Sequence, residues 1–116
     1  MFSALRLPIV RQEWSPEDLI GAWTLVEKDW RLVGNKTGAT RLGFSLLLKF
    51  FELEGRFPRG LEDLPEVAVD YVAGQVKVDA TEFAKYPWHG RSAKYHRAQV
   101  REEFGFREFT RADESG

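Results

Sequence analysis

The stretch from Thr37 to Glu54 limits this chain more than any other. Leu42, Leu46, Phe50 and Leu53 recur at spacings of four and three, and Leu47, Leu48 and Phe51 widen the apolar stripe. Only Arg41, Ser45, Lys49 and Glu52 make a polar line along it. A helix apolar around most of its circumference is stable only when other helices surround it. The periodicity therefore predicts a central helix over 37–54, closed by Gly55. Gly43 lies inside it, where a missing side chain lets a neighbour approach closely.

The flanking segments supply the surround. Ser15-Pro16-Glu17-Asp18 is a strong helix start: a capping serine, proline in the first turn, and acids at the positive end of the dipole. That helix is expected to run to about Val26. A second, short helix is expected over 27–33 and to stop at Gly34 in the left-handed conformation. Pro65 opens another, and the spacing of Val69, Val72, Ala73 and Val76 favours helix over strand despite the valines. Asp79 reads as the cap of a short helix through Lys85, with Glu82 completing a capping box. Arg91 to Phe104 is the last helix, with Gly105 as its stop, an extended segment over 106–109 and a new helix start at Thr110. Trp23 and Trp30 read as core, and Trp88 more as core than as a stacking side chain. With 116 residues there is room for one domain. The fold class expected is all-α: a compact bundle of five or six helices around the central helix. Its expected divisions are an N-terminal arm over 1–14, a helical domain over 15–109, and a linker or the start of a following domain over 110–116.

The chain has no cysteine, which excludes disulfides, thiolate metal sites and a cysteine nucleophile. No window resembles a signal peptide or a membrane span, so a cytoplasmic location is expected. His89 and His96 lack a third ligand partner, and His96 falls on an apolar face, which fits a packed histidine better than a metal ligand. The serines have no nucleophile context. No catalytic residue, metal or cofactor is expected.

The net charge of −1 hides an asymmetry. Residues 1–82 carry −3, residues 83–101 carry +5 with no acid, and residues 102–116 carry −3. The five cations are Lys85, Arg91, Lys94, Arg97 and Arg101. At about 100° per residue from Arg91, Lys94, Arg97 and Arg101 fall near 300°, 240° and 280°, beside an apolar stripe of Ala93, His96, Val100 and Phe104. Tyr95 and Gln99 lie on a third, polar face. A packed back with outward cations is what a DNA-contacting helix requires. The plain alternative is a solvated basic face with no ligand. A second candidate is the loop Gly34-Asn35-Lys36-Thr37-Gly38, which runs into a helix N-terminus where backbone N–H groups favour anions. Lys36, Thr37 and Arg41 would hold a phosphate there. It is not a nucleotide-hydrolysing loop, because Asn35 stands where glycine is required.

The run Leu32-Val33-Gly34-Asn35-Lys36-Thr37-Gly38-Ala39-Thr40-Arg41-Leu42-Gly43-Phe44 resembles the N-terminal domain of class II replicative transposases, the Tn-three family. Leu46-Leu47-Leu48-Lys49-Phe50-Phe51, Gly55-Arg56-Phe57-Pro58, Val69-Asp70-Tyr71-Val72-Ala73 and Gly90–Arg101 continue the likeness in the same order. The resemblance implies a helical module that recognises terminal inverted repeats in double-stranded DNA. In that family the chemistry belongs to a distant carboxylate triad with divalent metal ions, so the resemblance implies binding without catalysis here. It casts Lys36, Thr37, Arg41, Lys85, Arg91, Lys94, Tyr95, Arg97, Gln99 and Arg101 as DNA contacts, with the rest of a transposase or a second copy as further partners. No membrane or small-molecule substrate is expected. The alternative is a protein-interaction or oligomerisation module of the transposition complex without direct DNA contact.

Overall fold

Ser15 starts the first helix as its chemistry dictates, its Oγ accepting from Asp18 N at 3.1 Å with Pro16 in the first turn. The computed structural model describes the backbone of residues 13–115, and the side chains of 13–105 and 107; most of the expected arm over 1–14 lies outside these described residues. Helix α1 (Pro16–Trp23) stops three residues short of the expected Val26. The cause is tertiary. Gln75 Oε1 accepts from Leu25 N at 2.8 Å, and Gln75 Nε2 donates to Trp23 O at 2.9 Å. Thr24 Oγ1 meets Tyr71 Oη at 2.6 Å. These bonds satisfy an extended backbone that helix would otherwise claim. Gln75→Ala is therefore expected to cost about 1–3 kcal/mol, read by denaturant unfolding, because it strands the N–H of buried Leu25.

Helix α2 (Glu27–Val33) is closed by Gly34 at φ −59° and ψ −27°, which is right-handed; the expected left-handed closure does not occur. Helix α3 (Gly38–Glu54) ends at Gly55, whose φ of 76° is left-handed as expected and whose N–H donates to Phe51 O at 2.8 Å. Nine consecutive α3 residues, Leu42 to Phe50, are buried, so α3 is the central helix. Helix α4 (Glu66–Val76) confirms helix over strand and ends at Lys77 in the left-handed region.

Two segments are 3-10 helices, Leu61–Asp63 and Ala80–Lys85. Asp79 Oδ1 accepts from both Thr81 N and Thr81 Oγ1, so the cap is correct. The capping box is not, since the Glu82 carboxylate takes Lys85 Nζ at 2.9 Å. Among the described residues there is no strand. The all-α class stands: among the described residues, four α-helices and two 3-10 segments accompany α3.

Gly43 does what its position demands. A Cβ there would overlap the ring of Tyr86, which follows the second 3-10 segment and packs directly on α3. Gly43→Ala is expected to destabilise by about 1–3 kcal/mol through forced repacking, visible as a lower melting temperature. Trp23 is fully buried, edge-on to Trp14 at 6.0 Å, and Trp88 is buried too. Trp30 is 38% exposed, which corrects its assignment to the core.

Helix α5 (Arg91–Ser115) packs across α3 and runs through Gly105 without stopping. The expected extended segment over 106–109 is helical. A mid-helix glycine costs about 1 kcal/mol. The anchor lies two residues further on. Arg107 Nη2 donates to the fully buried carboxylate of Asp29 at 3.0 Å, and Arg107 Nε donates to Glu103 at 2.8 Å.

Candidate nucleic-acid interface

Ala93, His96 and Val100 are buried and Phe104 half-buried, so the apolar stripe of α5 docks on the core as its spacing requires. His96 shares a 2.6 Å hydrogen bond with Tyr86 Oη and lies edge-on to Phe44. Burial, then the positive charge of Lys36, hold His96 below its ordinary pKa. It is a packed, neutral histidine. Burial likewise pushes the Tyr86 phenol up, against a smaller pull from Arg97.

Arg91, Lys94, Arg97 and Arg101 lie off that packed stripe, whereas Arg107, further along α5, turns in to Asp29. Arg91, Lys94 and Arg101 are exposed. Arg97 is half-buried, and its guanidinium donates from Nη1 to Trp88 O at 3.3 Å, a long bond to a carbonyl that leaves its charge unneutralised. Arg101 lies over the Phe57 ring, 5.6 Å from its centroid. Tyr95 is 68% exposed, on the third face of α5. Gln99 differs from its expected open position: its amide oxygen is enclosed by protein and meets no hydrogen-bond partner. Lys85 is exposed on the preceding 3-10 segment and paired with Glu82.

The loop before α3 reaches the packed face of α5. Lys36 Nζ sits 4.3 Å from the centroid of the Phe44 ring, which in turn touches His96 of α5. Its ammonium donates to Leu32 O at 3.1 Å, and burial lowers its pKa. Thr37 is exposed at the N-cap of α3 and makes no side-chain cap bond. Arg41 is engaged internally. Its Nε donates to Lys36 O at 2.7 Å, Nη1 to Val76 O at 3.1 Å and Nη2 to Gly34 O at 3.1 Å. That bonding closes the loop and ties it to the end of α4.

A family model described as "Domain of unknown function (DUF4158)" matches residues 3–115. The chain belongs to this family. It is also 29% identical over 110 residues to the transposase for transposon Tn3926 of Escherichia coli. The match takes in 93% of this chain and 10% of that protein, so the DUF4158 chain spans about a tenth of the length of that curated relative. No solved structure matches it.

Sequence reasoning missed the most buried polar cluster of this DUF4158 domain. Asp29, with no exposed surface, accepts from Val26 N, Lys49 Nζ and Arg107 Nη2 at 2.9, 2.9 and 3.0 Å. Lys49 Nζ also pairs with Glu52 at 2.7 Å. The cluster joins α2, α3 and α5 and fixes the angle at which α5 presents its cations. Lys49, on the narrow polar line of a helix that must be surrounded, was the available signal, since a lysine enclosed there needs a buried partner. No helix of the described residues is long and apolar enough to cross a membrane.

Proposed function

We propose that this DUF4158 chain is a non-catalytic, duplex-DNA-binding module that acts in transposition by gripping the terminal inverted repeats of a mobile element. The observation that carries the reading is the outward row Arg91, Lys94, Arg97 and Arg101 on a helix whose opposite face is locked into the core. Such a row replaces condensed counterions along a phosphate backbone and admits bidentate contact with guanine edges. The kinship with a transposase supplies the process. In this reading the module includes all of α5, which runs unbroken through Thr110 to Ser115 with no new helix start at Thr110. The four α5 cations take phosphates or bases. Tyr95 is a secondary contact, and Lys36, Thr37 and Lys85 add peripheral phosphate contacts. Arg41 shapes the loop, and Gln99 contributes less than its sequence position implies. Comparing candidate inverted-repeat duplexes with scrambled ones in a gel-shift assay tests the specificity; equal affinity for both would leave only non-specific binding.

One observation favours a second reading, an interaction module within the transposition complex. Ile20, Val26 and Leu53 are exposed at 57%, 50% and 39% around a cleft of about 480 Å³ between α1 and α3. Salt-insensitive self-association in sedimentation, together with no DNA binding, would decide for it.

A further inference from the structure

The loop between α3 and the first 3-10 segment carries two arginines that the local charge balance conceals, because Glu52, Glu54, Glu62 and Asp63 surround them in sequence. In space their loop touches the end of the α5 row through Phe57. Gly55 turns the chain out of α3, and Phe57 stacks on Phe51 at 4.7 Å. Arg101 of α5 lies over that same Phe57 ring. Arg56 and Arg59 flank it in the chain.

The loop is held from inside. Asp63, nearly buried, accepts from Arg59 N at 2.9 Å and stands 3.5 Å from both Arg56 Nη1 and Arg59 Nε. Two guanidiniums on one enclosed carboxylate leave a net positive charge; Arg56 also donates from Nη1 to Phe57 O at 3.1 Å and lies over the Phe50 ring, so Arg59 keeps more of its N–H donors for a ligand. The Arg59 side chain is 66% exposed and that of Arg56 37%.

We infer that the Arg56–Arg59 loop is a second phosphate-contacting element, which extends the α5 row onto the neighbouring phosphate backbone of a DNA duplex, with Asp63 as its positioning residue. This rests on the proposed DNA-binding reading. Ten residues separate Arg91 from Arg101, about 15 Å along the helix axis. The major groove is about 12 Å wide. The Arg101 end of the row therefore reaches a groove edge, and the loop packed beside Arg101 lies where the bordering phosphates run.

The test is a salt series of binding isotherms, by fluorescence anisotropy, with the full chain and a labelled mixed-sequence DNA duplex. Arg59→Gln keeps the length of the side chain and removes its charge. It is expected to flatten the slope of log K against log salt by about 0.9 and to weaken binding about eightfold at 0.1 M salt, the share of one phosphate contact. Arg59→Lys should restore most of both, since a phosphate contact needs the charge. Arg56→Gln gives a second reading of the loop should Arg59→Gln melt early. Slopes unchanged in both glutamine variants, with Arg97→Ala still weakening binding, would overturn the loop assignment and leave the α5 reading intact. A wild-type chain that fails to bind the duplex would overturn both.

Discussion

Asp29→Ala is expected to lower the unfolding free energy by about 3–5 kcal/mol, a large part of what a domain of this size possesses. The variant leaves Lys49, whose side chain is 4% exposed, without its internal carboxylate, and frees Arg107 from the body of the bundle. Glu52 and Glu103 retain one cation each, which places the loss toward the lower end. Val26 N also loses its acceptor at the start of α2. Asp29→Asn keeps that acceptor and should recover only about 1 kcal/mol, since a neutral amide does not balance a buried ammonium. The same carboxylate gives a pH signature. Burial alone would raise its pKa, but the bonds from Val26 N, Lys49 and Arg107 outweigh burial and hold it below the usual carboxylate value. A depressed folded pKa contributes stability above the unfolded value near 4 and loses it as pH falls through the folded value. Wild-type stability should therefore drop on acidification below about pH 4, with a shallower drop in Asp29→Ala. Equal acid slopes, from urea unfolding at a series of pH values, would show that the Asp29 cluster does not stabilise the fold.

The double variant Arg97→Ala, Arg101→Ala is expected to weaken duplex binding about sixtyfold at 0.1 M salt, since each of the two phosphate contacts it removes is worth about eightfold. Its fold should survive. Arg97 gives up one long bond to Trp88 O, and Arg101 gives up a cation–π contact of about 0.5–1 kcal/mol at an exposed site. The near-unchanged circular dichroism melt expected of this variant separates it from Asp29→Ala, which should lose stability first and binding only as a consequence. Undiminished affinity in a folded double variant would remove α5 as the contact helix.

What the sequence made legible was local. The Ser15 and Asp79 caps, the left-handed Gly55 and the unbroken apolar stripe of α3 depend on neighbours within a few residues, and each is present in the structure. The two-sided character of α5 follows from its own period for the same reason. The larger misreadings depend on partners distant in sequence, whereas the Glu82 box fails locally, to Lys85 three residues on. The early end of α1 is set by Gln75 and Tyr71. The passage of α5 through Gly105 is held by Asp29, 78 residues from Arg107. Arg41 looked like an anion-binding side chain, but its guanidinium reaches Val76 O, 35 positions on. Trp30 sits on α2, which the extended Thr24 separates from the α1 that carries Trp23, so the burial of one ring does not carry over to the other.

The most direct measurement of the central claim is the affinity of the intact chain for duplex DNA across a salt series. Four phosphate contacts from α5 predict a log–log slope of about −3.6, steeper if Lys36 and the Arg56–Arg59 loop also engage. No detectable binding, or binding indifferent to salt, would contradict it.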